Sequence, residues 1–292
     1  MKSRFERLKN IHLPSSIDFL EKDGDTLIMQ MASRGFGWGD QPMNMQNDGA
    51  AFEAWALVAK THEYDKVILK GDVPDSLDLS RLHYNRFLYR AQRFYENFDW
   101  FSLSDNLNSA TSVFCCEVFD KNRNLKLNAP LHSRTSESHN PEAQAERHFI
   151  ESPDKLRELT QINASEFFRQ LPVGLCSEEV RIFPGRKAAI DLWAIEGDCV
   201  HVIELKAKGN KLGTLSELFF YVNFVYDFYC LKLASPEHIS ENRGYAKLLT
   251  SSPKRVYGHI LAESKHPLLD LALAQLAQCK NKNMHFKQAI TY

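Results

Sequence analysis

The chain has 292 residues, with 36 lysines and arginines against 37 aspartates and glutamates and a formal charge of −1. A protein that coats nucleic acid without selectivity is usually more basic, so any such contact belongs to a local patch. Hydrophobic content of 43% with 25% charged residues fits a folded protein of one large or two modest domains and excludes a disordered one.

In the first part of the chain, Ile17-Asp18-Phe19-Leu20 and Thr26 to Met31 flank Lys22-Asp23-Gly24-Asp25, a hairpin with turn chemistry. The run Arg34-Gly35-Phe36-Gly37-Trp38-Gly39-Asp40 reads as a loop whose aromatics could stack bases. It is no phosphate-binding glycine loop, because no Lys-Ser/Thr follows in a strand-to-helix context. Residues 47–59 read as a helix with Phe52, Trp55 and Ala56 on one side, and 67–69 as a short strand. Residues 82–98 read as a helix carrying Arg86, Arg90 and Arg93 in one stripe. Such a stripe suits phosphates, but an outward, solvated face is the preferred reading. Residues 113–119 read as a strand. The polar run 120–140 places a domain boundary, with an N-terminal α+β region over 1–130 and a second domain over 131–292.

The second domain begins with Asn140-Pro141-Glu142, a helix start with an N-cap, a proline at the first position and an acid in the first turn. Glu146 shares a face with Phe149 and Ile150. Residues 164–169 read as a further helix. The first core strand is either 171–176 or 179–183. Two apolar strands follow, 188–195 and 199–206, around the turn signal Gly197-Asp198. If those two residues form the turn, residues whose numbers sum to 395 face each other, so Asp191 sits opposite Glu204. Lys206 then shares the face of Glu204. A helix over 215–231, a strand over 256–262, a helix over 267–278 and a terminal strand within 284–291 complete a mixed sheet with helices on both faces.

Two carboxylates and a lysine on an otherwise apolar hairpin are costly unless something compensates. A divalent metal is the simplest compensation. Mg²⁺ takes oxygen ligands, and Asp191, Glu204 and the backbone carbonyl of Leu205 could supply them, with Mn²⁺ able to take its place. Such a metal polarises a phosphoryl oxygen and lowers the pKa of its water, while Lys206 orients that water or neutralises developing charge. Around the hairpin lie Arg186 and Lys187 on one side and Lys208 and Lys211 on the other, a rim suited to a phosphate backbone. A structural ion pair among Asp191, Glu204 and Lys206 is the competing account.

Asp191, twelve intervening residues and then Glu204-Leu205-Lys206 resembles the signature of the PD-(D/E)XK nuclease superfamily, with Ile190 in place of the proline. The strings Gln170-Leu171-Pro172-Val173-Gly174-Leu175 and Ser216-Glu217-Leu218-Phe219-Phe220-Tyr221 also resemble uncharacterised bacterial proteins of that superfamily. The resemblance implies an α/β (α+β) fold with a restriction-endonuclease-like core of helix, three strands, helix and strand, beside the N-terminal α+β region. It also implies a helix carboxylate facing the metal, assigned to Glu146 with Glu142 as substitute. An accessory pair equivalent to a Q-x-x-x-Y pattern falls on Glu217 and Tyr221, with Glu in place of Gln. The implied activity is metal-dependent hydrolysis of phosphodiester bonds in nucleic acid, DNA favoured, in bacterial defence or DNA processing. The alternative is a catalytically inactive nuclease-like module that binds nucleic acid or a partner protein.

Cys115, Cys116, Cys176, Cys199, Cys230 and Cys279 form no C-x-x-C pair and offer no zinc frame, which points to a reducing cytoplasm. The first residues lead into no apolar signal core and no stretch reaches membrane-span length. Cytoplasmic localisation without a membrane partner is therefore expected; a homodimer or a protein partner is compatible with the sequence.

Overall fold

The computed structural model describes residues 12–36, 44–120, 124–127, 140–177, 180–185, 188–207, 211–236 and 243–292. They form an α/β protein with mixed sheets, divided into two compact units. The first holds residues 1–123 with 211–216 and 268–280, and the second holds 124–210, 217–267 and 281–292. The two later segments that join the first unit were not visible as such in a division near residue 130.

The first unit is built on β1 (Ile17–Lys22), β2 (Thr26–Met31), α1 (Phe52–Thr61), β3 (Lys66–Gly71), α2 (Leu82–Asn97), β4 (Phe101–Leu103) and α3 (Asp105–Cys115). The hairpin β1–β2 is antiparallel with Ile17 opposite Met31, and β3 and β4 then add in parallel. Asn47 caps a short helical turn before α1 by accepting the N–H of Gly49. Phe36 is buried with its ring 4.6 Å from that of Phe87, so it is core and no base-stacking residue. Trp38 lies outside the described residues. Gly71 is required where it stands, since a Cβ there would lie 1.7 Å from Phe36 Cζ.

Two further expectations fail in this unit, the second in part. Residues 113–119 are no strand: α3 runs to Cys115 and continues as a π-helical turn, Cys116–Asp120. Leu107, Thr111, Phe114 and Val118 are buried at helical spacing, the period that the run of apolar residues concealed. The arginine stripe of α2 is the expected solvated face only at Arg93, which is partly exposed and pairs with Glu96 at 2.7 Å. Arg86 and Arg90 are buried, and Arg90 pairs through both its Nε, at 2.6 Å, and its Nη2 with Glu53 on α1, while Nη2 also reaches the carbonyl of Ala50. Glu53, fully buried, supplies the charge that draws the guanidinium inward.

The second unit contains β5 (Lys126–Leu127), α4 (Pro141–Glu151), α5 (Pro153–Thr160), β6 (Phe167–Pro172), β7 (Leu175–Cys176), β8 (Ala189–Glu196), β9 (Cys199–Lys206), α6 (Thr214–Val225) from Glu217 onward, β10 (Ser235–Pro236), α7 (Tyr245–Thr250), β11 (Arg255–Ala262), β12 (Met284–Phe286) and β13 (Ile290–Thr291). Its main sheet has the order β12-β11-β9-β8-β6, with β13 also on β11. The pairs β6/β8 and β8/β9 are antiparallel, whereas β9/β11 and β11/β12 are parallel. The expected helix over 164–169 is instead the start of β6, which pairs with β8 from Phe167 to Pro172. That strand replaces both candidates for the first core strand; Leu175–Cys176 pairs with β5 in a small separate sheet. The expected helix over 215–231 ends as α-helix at Val225 and continues as a π-helical turn, Tyr226–Cys230.

Strand alternation gives this sheet two faces. Leu192, Ala194, Ile203, Leu205 and Leu261 form one cluster with Phe149 of α4 and Leu156 of α5. On the other face, α6 comes so close to β11 that a Cβ on Gly258 would lie 2.7 Å from Val222 Cγ2. Only glycine permits that approach, and Glu217 of α6 reaches Lys206 at the end of β9.

Candidate functional site

The hairpin has the register that its turn dictates. Leu192 pairs with Ile203, Trp193 with Val202 and Glu196 with Cys199 around Gly197, which takes the positive φ of 59° the turn needs. The pairing stops at Leu192. One step further, Asp191 does not pair with Glu204 through the backbone; its Oδ2 instead accepts the N–H of Leu205 at 2.9 Å. The N–H and C=O of one strand residue point to the same neighbour, so the Leu205 carbonyl also faces β8.

The other side of β8 opens at the same residue. Arg169 pairs with Leu192 and Leu171 with Ile190, but Gln170 and Asp191 between them do not pair. Gln170 has φ +59°, the left-handed region that costs a non-glycine residue about 1–3 kcal/mol. Its carbonyl accepts the hydroxyl of Tyr245, and its amide donates to Glu146 Oε1 at 2.8 Å. Asp191 therefore sits where strand pairing is released on both flanks.

Around it stand the other acids. Lys206 Nζ lies 2.5 Å from Glu204 Oε1, 3.2 Å from Glu217 Oε2 and 3.6 Å from Glu142 Oε1. Glu204 and Glu217 are 2% and 1% exposed, and Glu204 Oε2 and both Glu217 oxygens have no hydrogen-bond partner. Burial of this kind normally demands a partner for each polar atom. One ammonium thus faces several buried carboxyls.

The electrostatics follow from that imbalance. Burial pushes the Asp191 carboxyl up, Lys206 and the Leu205 N–H pull it back, and Glu146 and Glu217 push it further up. Glu204 is raised by burial and then by Asp191 and Glu217. Burial also raises Glu146, against the Gln170 hydrogen bond and the charges of Arg169 and Arg243. Burial alone would lower Lys206, but Glu204, Glu217 and Asp191 outweigh it and hold the ammonium charged.

The expected site residues Asp191, Glu204, Lys206, Glu146 and Glu217 thus lie in one neighbourhood, with Glu142 beside them. Tyr221 is buried one turn after Glu217, with its ring 5.7 Å from Phe220. Of the expected phosphate contacts, Arg186, Lys187 and Lys208 lie outside the described residues, and Lys211 is exposed in the first unit. Two residues were not foreseen. Gln170 was hidden because its segment read as a helix end, and Tyr292 because it lies far along the chain. Burial and then Glu263, Glu142 and Asp191 push the Tyr292 phenol up to about 12.

The oxygen-only donor set and the orphaned carboxylate oxygens suit a hard divalent cation. Among the described residues, no three His, Cys, Asp or Glu side chains are gathered closely enough to hold a metal as they stand. Lys206 fills the position between Glu204 and Glu217. Among the described residues no helix is long and apolar enough to cross a membrane. A scan of family models and searches of curated proteins and of solved structures find no match to this chain.

Proposed function

We propose that the second unit is a metal-dependent nuclease centre of PD-(D/E)XK type that hydrolyses phosphodiester bonds, with DNA the favoured substrate. The observation that carries this reading is the gathering of Glu204, Glu217, Asp191 and Glu142 around Lys206, with Glu146 acting on Asp191 and three buried carboxylate oxygens left without hydrogen bonds. The chain order α4, β6, β8, β9, α6, β11 supports a restriction-endonuclease-like core of helix, three strands, helix and strand. A role in bacterial defence or DNA processing goes with that reading.

Asp191, Glu204 and the Leu205 carbonyl would hold Mg²⁺ or Mn²⁺, with Glu146 beside them. The bound ion supplies Lewis acidity and a water of lowered pKa. Lys206, kept charged by its acids, offers a cation to the non-bridging phosphate oxygens as negative charge grows there. Asp191 is fixed by the Leu205 N–H and Glu146 by the Gln170 amide, so two carboxylates are oriented before any ligand arrives.

A second reading is a nuclease-like module that binds nucleic acid or a partner protein without cutting. What favours it is Lys206 itself, which closes on Glu204 at 2.5 Å as a structural ion pair would. Thermal unfolding with Mn²⁺, Mg²⁺ or EDTA separates the two. A metal-dependent rise in Tm that disappears in Asp191→Ala supports the nuclease centre. An identical Tm in metal and in EDTA supports the module.

A further inference from the structure

We infer that Gln170 is a positioning residue: its left-handed backbone releases β8 at Asp191, and its amide aims Glu146 at the same place. Three features converge on it. First, the ladder between β6 and β8 is broken only at Gln170 and Asp191, with Arg169–Leu192 and Leu171–Ile190 paired on either side. Second, the other described non-glycine residues with positive φ, namely Asp23, Glu63, Gln161 and Lys232, all lie outside strands; Gln170 alone lies inside one. Third, both ends of Gln170 are tied down, its carbonyl to Tyr245 and its amide to Glu146, a buried residue of α4.

A regular strand residue at 170 would pair with Asp191 and leave it in the ladder. The left-handed turn withdraws those backbone groups and swings the amide towards α4. Asp191 is thereby free to turn its carboxylate to the Leu205 N–H, while Glu146 is held as an acceptor of the Gln170 amide. Strain of this kind persists only where the surroundings over-determine it, and the Tyr245 and Glu146 bonds do so.

This inference rests on the metal-binding reading of the site, and the test keeps the two apart. Full-length wild type, Gln170→Gly and Gln170→Ala are compared, first without metal and then by calorimetric titration with Mn²⁺. Both variants lose the amide, but glycine adopts positive φ freely and alanine does not. The glycine variant is expected to melt above the alanine variant, the reverse of the order in an ordinary strand. Its Mn²⁺ affinity is expected to fall at least about 10-fold, as for other groups that orient metal ligands. Alanine melting above glycine overturns the inference, as does equal Mn²⁺ affinity in wild type and the glycine variant. If wild type binds no Mn²⁺, the nuclease reading falls, and the metal-free melting order alone then upholds or overturns the role of Gln170.

Discussion

Lys206 Nζ stands 2.5 Å from Glu204 Oε1 and 3.2 Å from Glu217 Oε2, so one ammonium is shared by two carboxylates almost wholly removed from water. Removing it strands buried charge. Lys206→Met is expected to lower stability at pH 8 by about 3–5 kcal/mol, the usual cost of breaking a buried ion pair. The same substitution leaves Glu204 Oε1 open to a cation. Millimolar Mn²⁺ is therefore expected to restore part of the lost stability, and more than it adds to wild type. Urea unfolding with and without Mn²⁺ checks this; a variant that Mn²⁺ does not stabilise contradicts it.

Asp191 ties stability to pH. Its carboxyl is pushed up from 3.8 to about 7, chiefly by burial. A raised carboxyl favours the fold in its neutral form, so that contribution is complete below pH 3.8 and lost as pH rises through about 7. Asp191→Asn removes the ionisation while keeping an oxygen for the Leu205 N–H. Its Tm is expected to exceed that of wild type at pH 8, with the difference shrinking towards zero near pH 4. A constant difference across that range would count against the account.

The buried histidines act in the opposite sense. His201 Nδ1 and His259 Nε2 are 3.1 Å apart, and His201 Nε2 lies 3.4 Å from Glu196 Oε2. Burial lowers His201 from 6.5 to about 4 and, with the neighbouring His201, lowers His259 to about 3. The unfolded chain takes protons that the folded one refuses. Stability is present above pH 6.5 and lost as pH falls through about 4, on the order of 3 kcal/mol for His201 alone. Replacing both with leucine leaves no orphaned partner and is expected to flatten the acid limb of a stability-against-pH curve. An unchanged limb would show that other groups carry it.

In the first unit, Arg90 and Glu53 are buried together. Glu53→Gln alone leaves a buried guanidinium without its counter-charge and is expected to cost about 3–5 kcal/mol. Replacing the pair together, Glu53→Leu with Arg90→Met, is expected to cost much less. A double-mutant cycle in urea measures the coupling, and additive losses would contradict it.

These residues also show what can be read along a chain. The hairpin register was legible because the Gly197-Asp198 turn allows one alignment, and five successive pairs from Leu192 to Glu196 follow it. Asp191, Glu204 and Lys206 came together from that register and from period two. The break at Asp191 was not legible, because it depends on Gln170 taking a left-handed conformation that no local residue type announces. The arginine stripe of α2 misled for a related reason. Its counter-charge, Glu53, sits 37 residues earlier on another helix, so the pattern alone looked like a solvated face. Residues 113–119 looked strand-like because their helical period needs Leu107 and Thr111 to be seen. Local chemistry specified turns and caps, and long-range charge pairing and backbone strain escaped it.

The most direct measurement is cleavage. Purified full-length protein is incubated with circular DNA, linear DNA and RNA in Mg²⁺, Mn²⁺ or EDTA, beside Lys206→Ala and Asp191→Ala. The account expects cutting of DNA that requires the divalent ion and is lost in both variants. Substrates left equally intact by wild type and variants, or cutting that persists in EDTA or in the variants, would contradict it.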